Sequence, residues 1–316
     1  ATRTFNGAPF KLSQHIHRLY DSLRYLRIDV RMEMDEMERW SREVVQYNHP
    51  LLPPNQDLWV MHENGPGGSP ILWNDLLIFH MDGSDRQFIA ALDKRTGRLA
   101  WQTRRTGKMN DNPQLKKAYG TPGVTRVRGR DVVISPAADW LYGYDPASGE
   151  ELWKMKYGSL GFSIVPKPVV GDGMVYIGTS FMRPQLIAFN ITKAKPEIAW
   201  ASKRSVPAVS SPILVGKEIY FVSDSGGIVT CLDAKTGKTL WENNYASSFV
   251  AGYGSAAGPR ATPAIVGDRV YTMGGQGIVV CTDFATGKTV WKVDTQKSYR
   301  ASDGFFGMAC SPLVEG

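Results

Sequence analysis

Short apolar runs separated by polar turns recur along the chain from residue 67 to its end. In each copy a proline opens a short apolar run, a turn containing Gly or Asp follows, and a β-branched or aromatic run comes next. This order of runs predicts an antiparallel β-hairpin. The copies lie at residues 67–80, 120–135, 166–178, 210–223 and 261–274.

A second motif follows each predicted hairpin and ends in a tryptophan. Its clearest copy is CLDAKTGKTLW at residues 231–241, with close copies at 91–101, 143–153 and 281–291. A looser copy at 189–200 has Asn190 in place of the aspartate. The aspartate can accept backbone N–H bonds within the turn, and the glycine supplies the positive φ angle that closes it. The motif tryptophans are Trp101, Trp153, Trp200, Trp241 and Trp291.

Successive motif tryptophans are 52, 47, 41 and 50 residues apart. A period of roughly 40–50 residues, with several short strands in each copy, is typical of a β-propeller. We therefore predict an all-β protein whose blades are four-stranded antiparallel sheets. Each motif tryptophan is predicted to pack against the neighbouring blade, where truncation of a buried ring costs about 3–5 kcal/mol.

The repeated motif resembles that of the pyrroloquinoline-quinone-type propeller repeats, which reads alanine-x-aspartate-x-x-threonine-glycine-x-x-x-tryptophan. The resemblance covers residues 67–316 in five copies. The family includes quinoprotein dehydrogenases, the propeller lipoprotein of outer-membrane assembly and many envelope proteins, and residues 258–283 are similar to secreted propeller proteins of planctomycete-type bacteria. The resemblance implies a ring of about seven or eight blades and a periplasmic or secreted location.

Two segments bear on how the ring closes. A sixth copy of the hairpin pattern begins at Cys310 and reaches Gly316 without its tryptophan. The segment QDLWVMH at residues 56–62 has a Leu-Trp pair like those of the motif, but no inner strands precede it. We assign it to the outer strand of the last blade, with inner strands from the C-terminal end. These features predict a propeller domain at residues 55–316 whose ring is incomplete in this sequence.

Residues 1–54 do not contain the repeat and are predicted to form a helical extension. No Pro or Gly occurs between Lys11 and Tyr47, and apolar residues recur there at helical spacing. This period predicts one long amphipathic helix, which ends at the prolines of residues 48–54. Residues 11–31 carry a net charge of +3 and residues 32–47 a net charge of −3.

The apolar stripe of a helix about 50 Å long needs burial. The helix can pack on its own propeller, dock on a partner protein, or pair antiparallel with a second copy so that basic and acidic halves meet. We predict that the stripe contacts another protein chain. The residues assigned to this contact are Leu19, Leu23, Leu26, Val30 and Met37.

Composition describes a soluble globular protein, with 42% hydrophobic and 21% charged residues. No run approaches the ~18 apolar residues of a membrane span. The net charge of +7 is spread along the chain rather than clustered, which argues against nucleic-acid binding. Cys231 and Cys281 occupy the same repeat position and are predicted to be buried thiols, because equivalent positions in adjacent repeats are too far apart to bridge.

The resemblance also implies where cofactor chemistry would be found. Quinoprotein dehydrogenases of this family hold pyrroloquinoline quinone and calcium on the propeller axis, with two adjacent cysteines and an Asp base. Here Cys231, Cys281 and Cys310 are not adjacent, and the recurring aspartates belong to turns. No His pair has metal-ligand spacing, and neither a P-loop nor a GxSxG motif occurs. We predict no cofactor, metal or catalytic residue, with a quinone-dependent alcohol dehydrogenase as the alternative.

A candidate ligand site lies where the segments leading into the innermost strands converge on one mouth of the axial channel. Side chains there would bind an anionic ligand, such as a sugar acid or an acidic protein loop, unless they are ordinary solvated loop residues. The residues assigned to this mouth are Tyr119, Lys167, Arg183 and Arg260. The predicted function is a non-enzymatic binding or scaffold module of the bacterial cell envelope that mediates protein–protein assembly.

Overall fold

The computed structural model of the chain describes residues 2–5, 7–25, 32–51, 59–60, 67–158, 164–179, 183–193, 195–223, 227–245, 261–301, 307–308 and 310–315. The chain divides into two compact units, Ala1–Asn64 and Gly65–Gly316. The first unit contains two α-helices and a small sheet, and the second contains five four-stranded sheets.

Each sheet of the second unit is an antiparallel blade built from four consecutive strands. Blade 1 consists of β4 (Ile71–Trp73), β5 (Leu76–Asp82), β6 (Gln87–Asp93) and β7 (Leu99–Arg104). Blade 2 consists of β8 (Gly123–Val127), β9 (Arg130–Ala137), β10 (Trp140–Tyr144) and β11 (Glu151–Lys156). Blade 3 consists of β12 (Val169–Gly171), β13 (Met174–Gly178), β14 (Leu186–Asn190) and β15 (Glu197–Ser202). Blade 4 consists of β16 (Ile213–Val215), β17 (Glu218–Val222), β18 (Ile228–Asp233) and β19 (Thr239–Asn244). Blade 5 consists of β20 (Ala264–Val266), β21 (Arg269–Met273), β22 (Ile278–Asp283) and β23 (Thr289–Asp294).

This architecture confirms the predicted all-β fold with four-stranded antiparallel blades. The first two strands of every blade are the runs of the hairpin pattern, and the last strand carries the motif tryptophan. A 3-10 helix, Pro113–Lys116, lies between blades 1 and 2, and a short helix α3 (Thr295–Tyr299) follows blade 5.

In blades 1, 4 and 5 the turn that precedes the tryptophan is built as the motif predicts. In blade 1 the Asp93 carboxylate accepts bonds from the backbone N–H and the hydroxyl of Thr96 at 2.7 and 2.8 Å. Gly97 closes this turn with a φ angle of 69°, a conformation that favours glycine. Asp233 and Asp283 make the same bonds, and the threonine hydroxyl lowers the pKa of all three carboxyls.

The pairing between the third strand and the tryptophan strand has the same irregularity in every blade. The pairing register shifts by one residue next to the position opposite the indole, which is a β-bulge. A Cβ atom on Gly143 would lie 2.2 Å from the Trp153 ring, so this position accepts only small side chains. The same position holds Cys231 and Cys281, which are buried free thiols as expected. The five residues opposite the indoles are Ala91, Gly143, Ala188, Cys231 and Cys281.

Apolar clusters fill the spaces between consecutive blades. Ile78 and Ile89 of blade 1 pack with Tyr142 and Tyr144 of blade 2, and all four side chains are fully buried. Comparable clusters join blades 2 and 3, blades 3 and 4, and blades 4 and 5. Because every cluster takes side chains from two sheets, each blade contributes to the stability of its neighbours.

The N-terminal unit contains helices α1 (Leu12–Tyr25) and α2 (Met34–Asn48), followed by a 3-10 turn at His49–Leu51. Its sheet has the order β2-β1-β3 and consists of β1 (Thr2–Phe5), β2 (Ala8–Pro9) and β3 (Trp59–Val60). Within the described ranges, no helix combines the length and the apolar character needed to cross a membrane.

The prediction of one continuous helix from Lys11 to Tyr47 is corrected by the structure. Glu33 has an extended backbone, with φ −72° and ψ 154°, directly before α2. The Ser13 hydroxyl in α1 donates to the Glu38 carboxylate in α2 at 2.8 Å, so the two helices contact each other. The two halves of the segment therefore contact each other within one chain, whereas Arg24 pairs with Asp21 inside α1 and Arg42 pairs with Glu38 inside α2.

The segment at residues 56–62 also differs from its predicted place. Trp59 and Val60 pair with Arg3 and Thr2 in the sheet of the N-terminal unit, and the other residues of this segment lie outside the described residues. The contacts within the chain place the boundary between the two units after Asn64 rather than after residue 54.

The residues assigned to a partner chain have several different environments. Leu23 is buried, with 4% of its surface exposed, whereas Leu19 and Met37 are half-buried. Leu26 and Val30 lie outside the described residues. Helix α2 instead exposes another apolar stripe at helical spacing. These exposed side chains are Trp40, Val44 and Tyr47, with exposed fractions of 49%, 50% and 77%.

Candidate functional site

The segments that lead into the innermost strands are linked from blade to blade. In these lead-in segments, the backbone N–H of the residue before the proline donates to the hydroxyl of its equivalent in the following repeat. Ala118 and Ile164 additionally form a parallel β-bridge between neighbouring lead-in segments. The hydroxyl bonds run from Ser69 to Thr121 at 3.0 Å, from Lys167 to Ser211 at 3.0 Å and from Thr262 to Ser311 at 3.1 Å.

The residues predicted for the axial mouth are only partly placed by the structure. Tyr119 is half-buried and its backbone N–H donates to the Ile164 carbonyl at 2.7 Å. Lys167 and Arg183 are exposed, and Arg260 lies outside the described residues. None of Tyr119, Lys167 and Arg183 lines the arginine-rich pocket of blade 1 or the larger groove described below. An anionic ligand at the mouth therefore stays a prediction.

A pocket rich in arginine lies instead at the outer side of blade 1. Its volume is about 360 Å³, and Arg86 and Arg104 are exposed at its rim. Arg105 lies in its wall, but the side chain of Arg105 is 1% exposed. The charge of Arg105 is directed into the protein rather than towards the pocket.

Arg105 is the centre of a buried polar network between blades 1 and 2. Its Nε and Nη2 atoms donate to the two oxygens of Asp82 at 3.0 and 2.7 Å, and Asp82 is fully buried. Further bonds reach the Ser135 hydroxyl at 2.8 Å and the Tyr144 hydroxyl at 3.2 Å. Burial alone would lower the pKa of Arg105, but the Asp82 carboxylate raises it, so the guanidinium stays charged.

His80 completes this network without giving it catalytic capacity. Its Nδ1 atom lies 2.9 Å from the Ser135 hydroxyl, which also accepts a bond from Arg105. Burial lowers the pKa of His80 to about 4, so the ring is neutral at pH 7. A Ser–His contact is the core of many nucleophilic sites, but here both side chains are buried between sheets. The network is structural, because no substrate can reach it.

The motif tryptophans differ in how much of their surface is buried. The exposed fraction is 9% for Trp101 and 43% for Trp291, and the other three are half-buried. Glycines of the next turn lie directly under the rings; a Cβ on Gly149 would be 2.4 Å from the Trp101 ring. Indole N–H groups also donate to the next blade, from Trp101 to Pro146 O at 3.0 Å, from Trp200 to Ala234 O at 2.9 Å and from Trp241 to Phe284 O at 3.1 Å.

A larger groove lies between blades 3 and 4, on the side of their turns. Its volume is about 560 Å³, and its apolar lining includes Met174, Tyr176 and Leu214. Asp172 and Asp233 contribute carboxylates, and two lysines also line it. We call this space the blade 3–4 groove. Reasoning from the sequence missed it, although Gly171 stands out when the repeats are aligned.

The cofactor chemistry of the alternative function finds no ligand set in the described residues. Cys231 and Cys281 are buried thiols in different blades, and Cys310 is an exposed thiol. In the described part of the chain, no three His, Cys, Asp or Glu side chains lie close enough together to hold a metal ion.

Five antiparallel blades, four of which carry an aspartate–glycine–tryptophan turn between their third and fourth strands, define a β-propeller of the pyrroloquinoline-quinone-type repeat class. The sequence model of the family described as "Outer membrane protein assembly factor BamB" matches residues 85–304, and the chain belongs to this family.

Individual relatives cover only part of the chain. The outer membrane protein assembly factor BamB of Yersinia pestis is 26% identical over 174 residues, which are 54% of this chain and 42% of that protein. The BamB of Shewanella oneidensis is 25% identical over 174 residues, covering 52% of this chain and 41% of that protein. The aligned part of the chain thus spans about two-fifths of the length of these relatives.

Solved structures share the fold at low sequence identity. The crystal structure of BamB from Moraxella catarrhalis has a TM-score of 0.54 at 19% identity, covering 81% of this chain and 67% of that chain. A europium-containing methanol dehydrogenase has a TM-score of 0.53 at 15% identity, covering 73% of this chain and 51% of that chain. At these identities the likeness concerns the fold alone.

Proposed function

We propose that this chain is a non-enzymatic scaffold of the bacterial cell envelope that binds other proteins during outer-membrane assembly, on the periplasmic side. The observation that carries the proposal is the family match over residues 85–304, because the related proteins are named as outer-membrane assembly factors. In this proposal the motif tryptophans fasten the blades, and the surfaces of the two units bind partners.

Two surfaces support binding to other proteins. Helix α2 exposes Trp40, Val44 and Tyr47 in one stripe, and aromatic side chains are enriched where proteins bind each other. Lys167 in a lead-in segment and Arg183 in the loop between β13 and β14 are exposed cations, which suit an acidic protein loop or another anionic ligand. The proposal needs neither a cofactor nor a catalytic residue.

Crosslinking in the native cell tests the scaffold proposal. A photo-reactive amino acid placed at Tyr47, which is 77% exposed, is expected to crosslink the chain to outer-membrane assembly proteins, identified by mass spectrometry. The same amino acid at Tyr299, which is 73% exposed on α3, is the matched control for exposure. Crosslinks exclusively to cytoplasmic proteins, or identical products from both positions, would contradict the proposal.

A second assay tests the enzymatic alternative. The purified chain is mixed with pyrroloquinoline quinone and calcium, and dye-linked oxidation of primary alcohols is measured together with quinone binding. The scaffold proposal expects no turnover above the free quinone. Stoichiometric binding with alcohol-dependent dye reduction would instead establish a quinoprotein dehydrogenase.

A further inference from the structure

The exposed apolar side chains of α2 continue into the 3-10 turn that follows the helix. They lie at successive spacings of four, three and four residues, and we call them the α2 stripe: Trp40, Val44, Tyr47 and Leu51. Their exposed fractions are 49%, 50%, 77% and 72%. His49 begins the turn with helical backbone angles, φ −58° and ψ −40°, so the chain keeps a helical course towards Leu51.

The N-terminal unit covers a different side of α2. The buried residues of this helix are Ser41 and Val45, and α1 packs against α2. Each of the two buried residues comes directly after a residue of the α2 stripe, which places it about 100° further around the helix axis. The inner face of α2 is therefore covered within the chain, whereas the α2 stripe is exposed.

The spacing of the α2 stripe favours a helix as its partner. Apolar side chains that alternate at three and four residues form the seam between two helices packed side by side, where each side chain fits between those of the facing helix. A strand would instead present side chains to one face at every second residue. From Trp40 to Leu51 the stripe is about 17 Å long, which matches three turns of a partner helix.

One edge of the α2 stripe is acidic. Glu36 and Glu43 are both exposed, and each lies one helical turn before an aromatic residue of the stripe. The Glu36 carboxylate accepts a bond from the Trp40 indole at 3.4 Å and lies 3.9 Å from the Arg39 guanidinium. In the part of the chain that the structure describes, Glu43 forms neither a hydrogen bond nor an ion pair. Its charge is thus available to a partner.

The charged edge argues against pairing of the α2 stripe with a second copy of the chain. In an antiparallel pair of helices, the edges that carry Glu36 and Glu43 would face each other. In a parallel pair, each acidic edge would face the opposite edge, where Ser41 and Asn48 carry no charge. Neither arrangement supplies a counter-charge. A partner helix with lysine or arginine along its facing edge does supply one.

We infer that the α2 stripe binds an amphipathic helix of a partner protein, which has an apolar seam against the stripe and basic side chains beside Glu43. The assignment of this helix to another protein rests on the proposed scaffold function. The apolar seam and the basic edge of the partner rest on the exposed side chains of α2 itself. Trp40 and Tyr47 are of the residue types that contribute most to binding at protein interfaces.

Binding of designed helical peptides to the full chain measures this preference. The probe is a fluorescently labelled amphipathic peptide of about 21 residues, long enough to form a helix, with leucines in its seam and lysines along both edges. The matched control peptide has glutamates in place of the lysines. We expect the lysine peptide to bind at least about fivefold more tightly in fluorescence anisotropy, with a smaller preference at high salt.

The net charge of the chain makes this comparison stringent. Because the chain carries a net charge of +7, general electrostatic attraction would favour the glutamate peptide. Tighter binding of the lysine peptide therefore requires a local acidic surface. Equal binding of the two peptides, or tighter binding of the glutamate peptide, would overturn the inference.

Two pairs of variants locate the binding surface. Glu43→Lys is expected to abolish or reverse the preference for the lysine peptide, whereas Glu150→Lys, the same change at an exposed glutamate in the turn of blade 2, is expected to leave it unchanged. Tyr47→Ser is expected to weaken binding at least about fivefold, and Tyr299→Ser, at a comparably exposed tyrosine, to have no effect. Equal effects within either pair would place the peptide elsewhere and refute the assignment.

The crosslinks from position 47 separate this inference from the scaffold proposal. If they join the chain to assembly proteins at extended or acidic segments, the scaffold proposal stands and the helix inference fails. If the lysine peptide binds at the α2 stripe but no envelope protein is crosslinked, the scaffold proposal fails and the preference of the stripe for a basic helix stands. Crosslinks to a basic helix of an assembly protein that Glu43→Lys weakens, and Glu150→Lys does not, support both.

Discussion

Removing the charge of Arg105 tests how far the junction between blades 1 and 2 depends on its buried ion pair. Arg105→Met keeps most of the volume and deletes two bonds to Asp82, one to Ser135 and one to Tyr144. Asp82 is then left buried and negative without a counter-ion. Breaking a buried pair from one side costs about 3–5 kcal/mol, because the remaining charge is uncompensated. We expect a loss of this size in the free energy of unfolding.

The assay is urea unfolding followed by tryptophan fluorescence, with the slope of the transition compared between variants. Arg204→Met is the matched control, because Arg204 pairs with Glu242 at 2.9 Å with 80% of its side chain exposed. An exposed pair contributes at most about 1 kcal/mol, so this control is expected to unfold nearly as the wild type does.

A double variant separates the ion pair from simple packing. Asp82→Leu combined with Arg105→Met removes both charges, so it is expected to be more stable than Arg105→Met alone, since no unpaired charge remains. If Arg105→Met unfolds within about 1 kcal/mol of the wild type, or if the double variant is the less stable of the two, the network does not contribute in the way described.

Three further expectations follow from individual side chains. Burial lowers the pKa of His80 from 6.5 to about 4, so between these pH values the unfolded chain binds a proton that the folded chain does not, and stability falls as the pH drops through this window. The free energy of unfolding, measured at a series of pH values, is expected to fall by about 3 kcal/mol across the window. His80→Asn is expected to lack this fall. Trp241→Ala is expected to lower the free energy of unfolding by about 3–5 kcal/mol and Trp291→Ala by clearly less. The reason is that the Trp241 indole is bonded to blade 5, whereas Trp291 is 43% exposed. Equal losses of stability in thermal unfolding would refute the role of the tryptophans in holding the blades together. Burial raises the pKa of Cys231 to about 12 and also raises that of Cys281, so neither thiol is expected to react with a disulfide reagent before unfolding, and rapid labelling in the native state would contradict their burial.

The repeat allowed the blades to be predicted from the sequence, because the hairpin pattern and the turn motif follow each other in every copy. The prolines and turns located the first hairpin of each blade, and the carboxylate of Asp93 and the positive φ of Gly97 perform the roles that the motif assigns to them. What the repeat spacing did not contain was the bulge beside each tryptophan, or the close contact between each indole and the residue paired with it. That contact admits only small side chains, which explains why Cys231 and Cys281 share the paired position.

The N-terminal segment was misread because its interruption has no local signal. Residues 11–47 contain neither Pro nor Gly, and their apolar period runs through the break. The division into two helices is a tertiary effect: Ser13 bonds to Glu38, and Tyr20 bonds to the Met32 carbonyl at 2.6 Å, so the contacts between helices replace a longer helix. Helical periodicity cannot express such contacts, because they join residues that are far apart in the sequence.

The blade 3–4 groove lay beyond sequence reasoning for another reason, since it is lined by side chains from two different repeats. The junctions between blades share a backbone register but differ in side chains. Trp73 bonds to Asp131 at the first junction and Arg128 crosses the second, whereas at the third the Leu214 side chain packs closely against Gly171. A repeat motif reports what the copies have in common, which is how they fold. Recognition of a partner needs a position where the copies differ, because a surface that is the same at every junction cannot select one junction over another. In this chain one such difference is that blade 2 has Arg128, which bonds across its junction to Thr192, whereas blade 3 has Asp172 at the equivalent position.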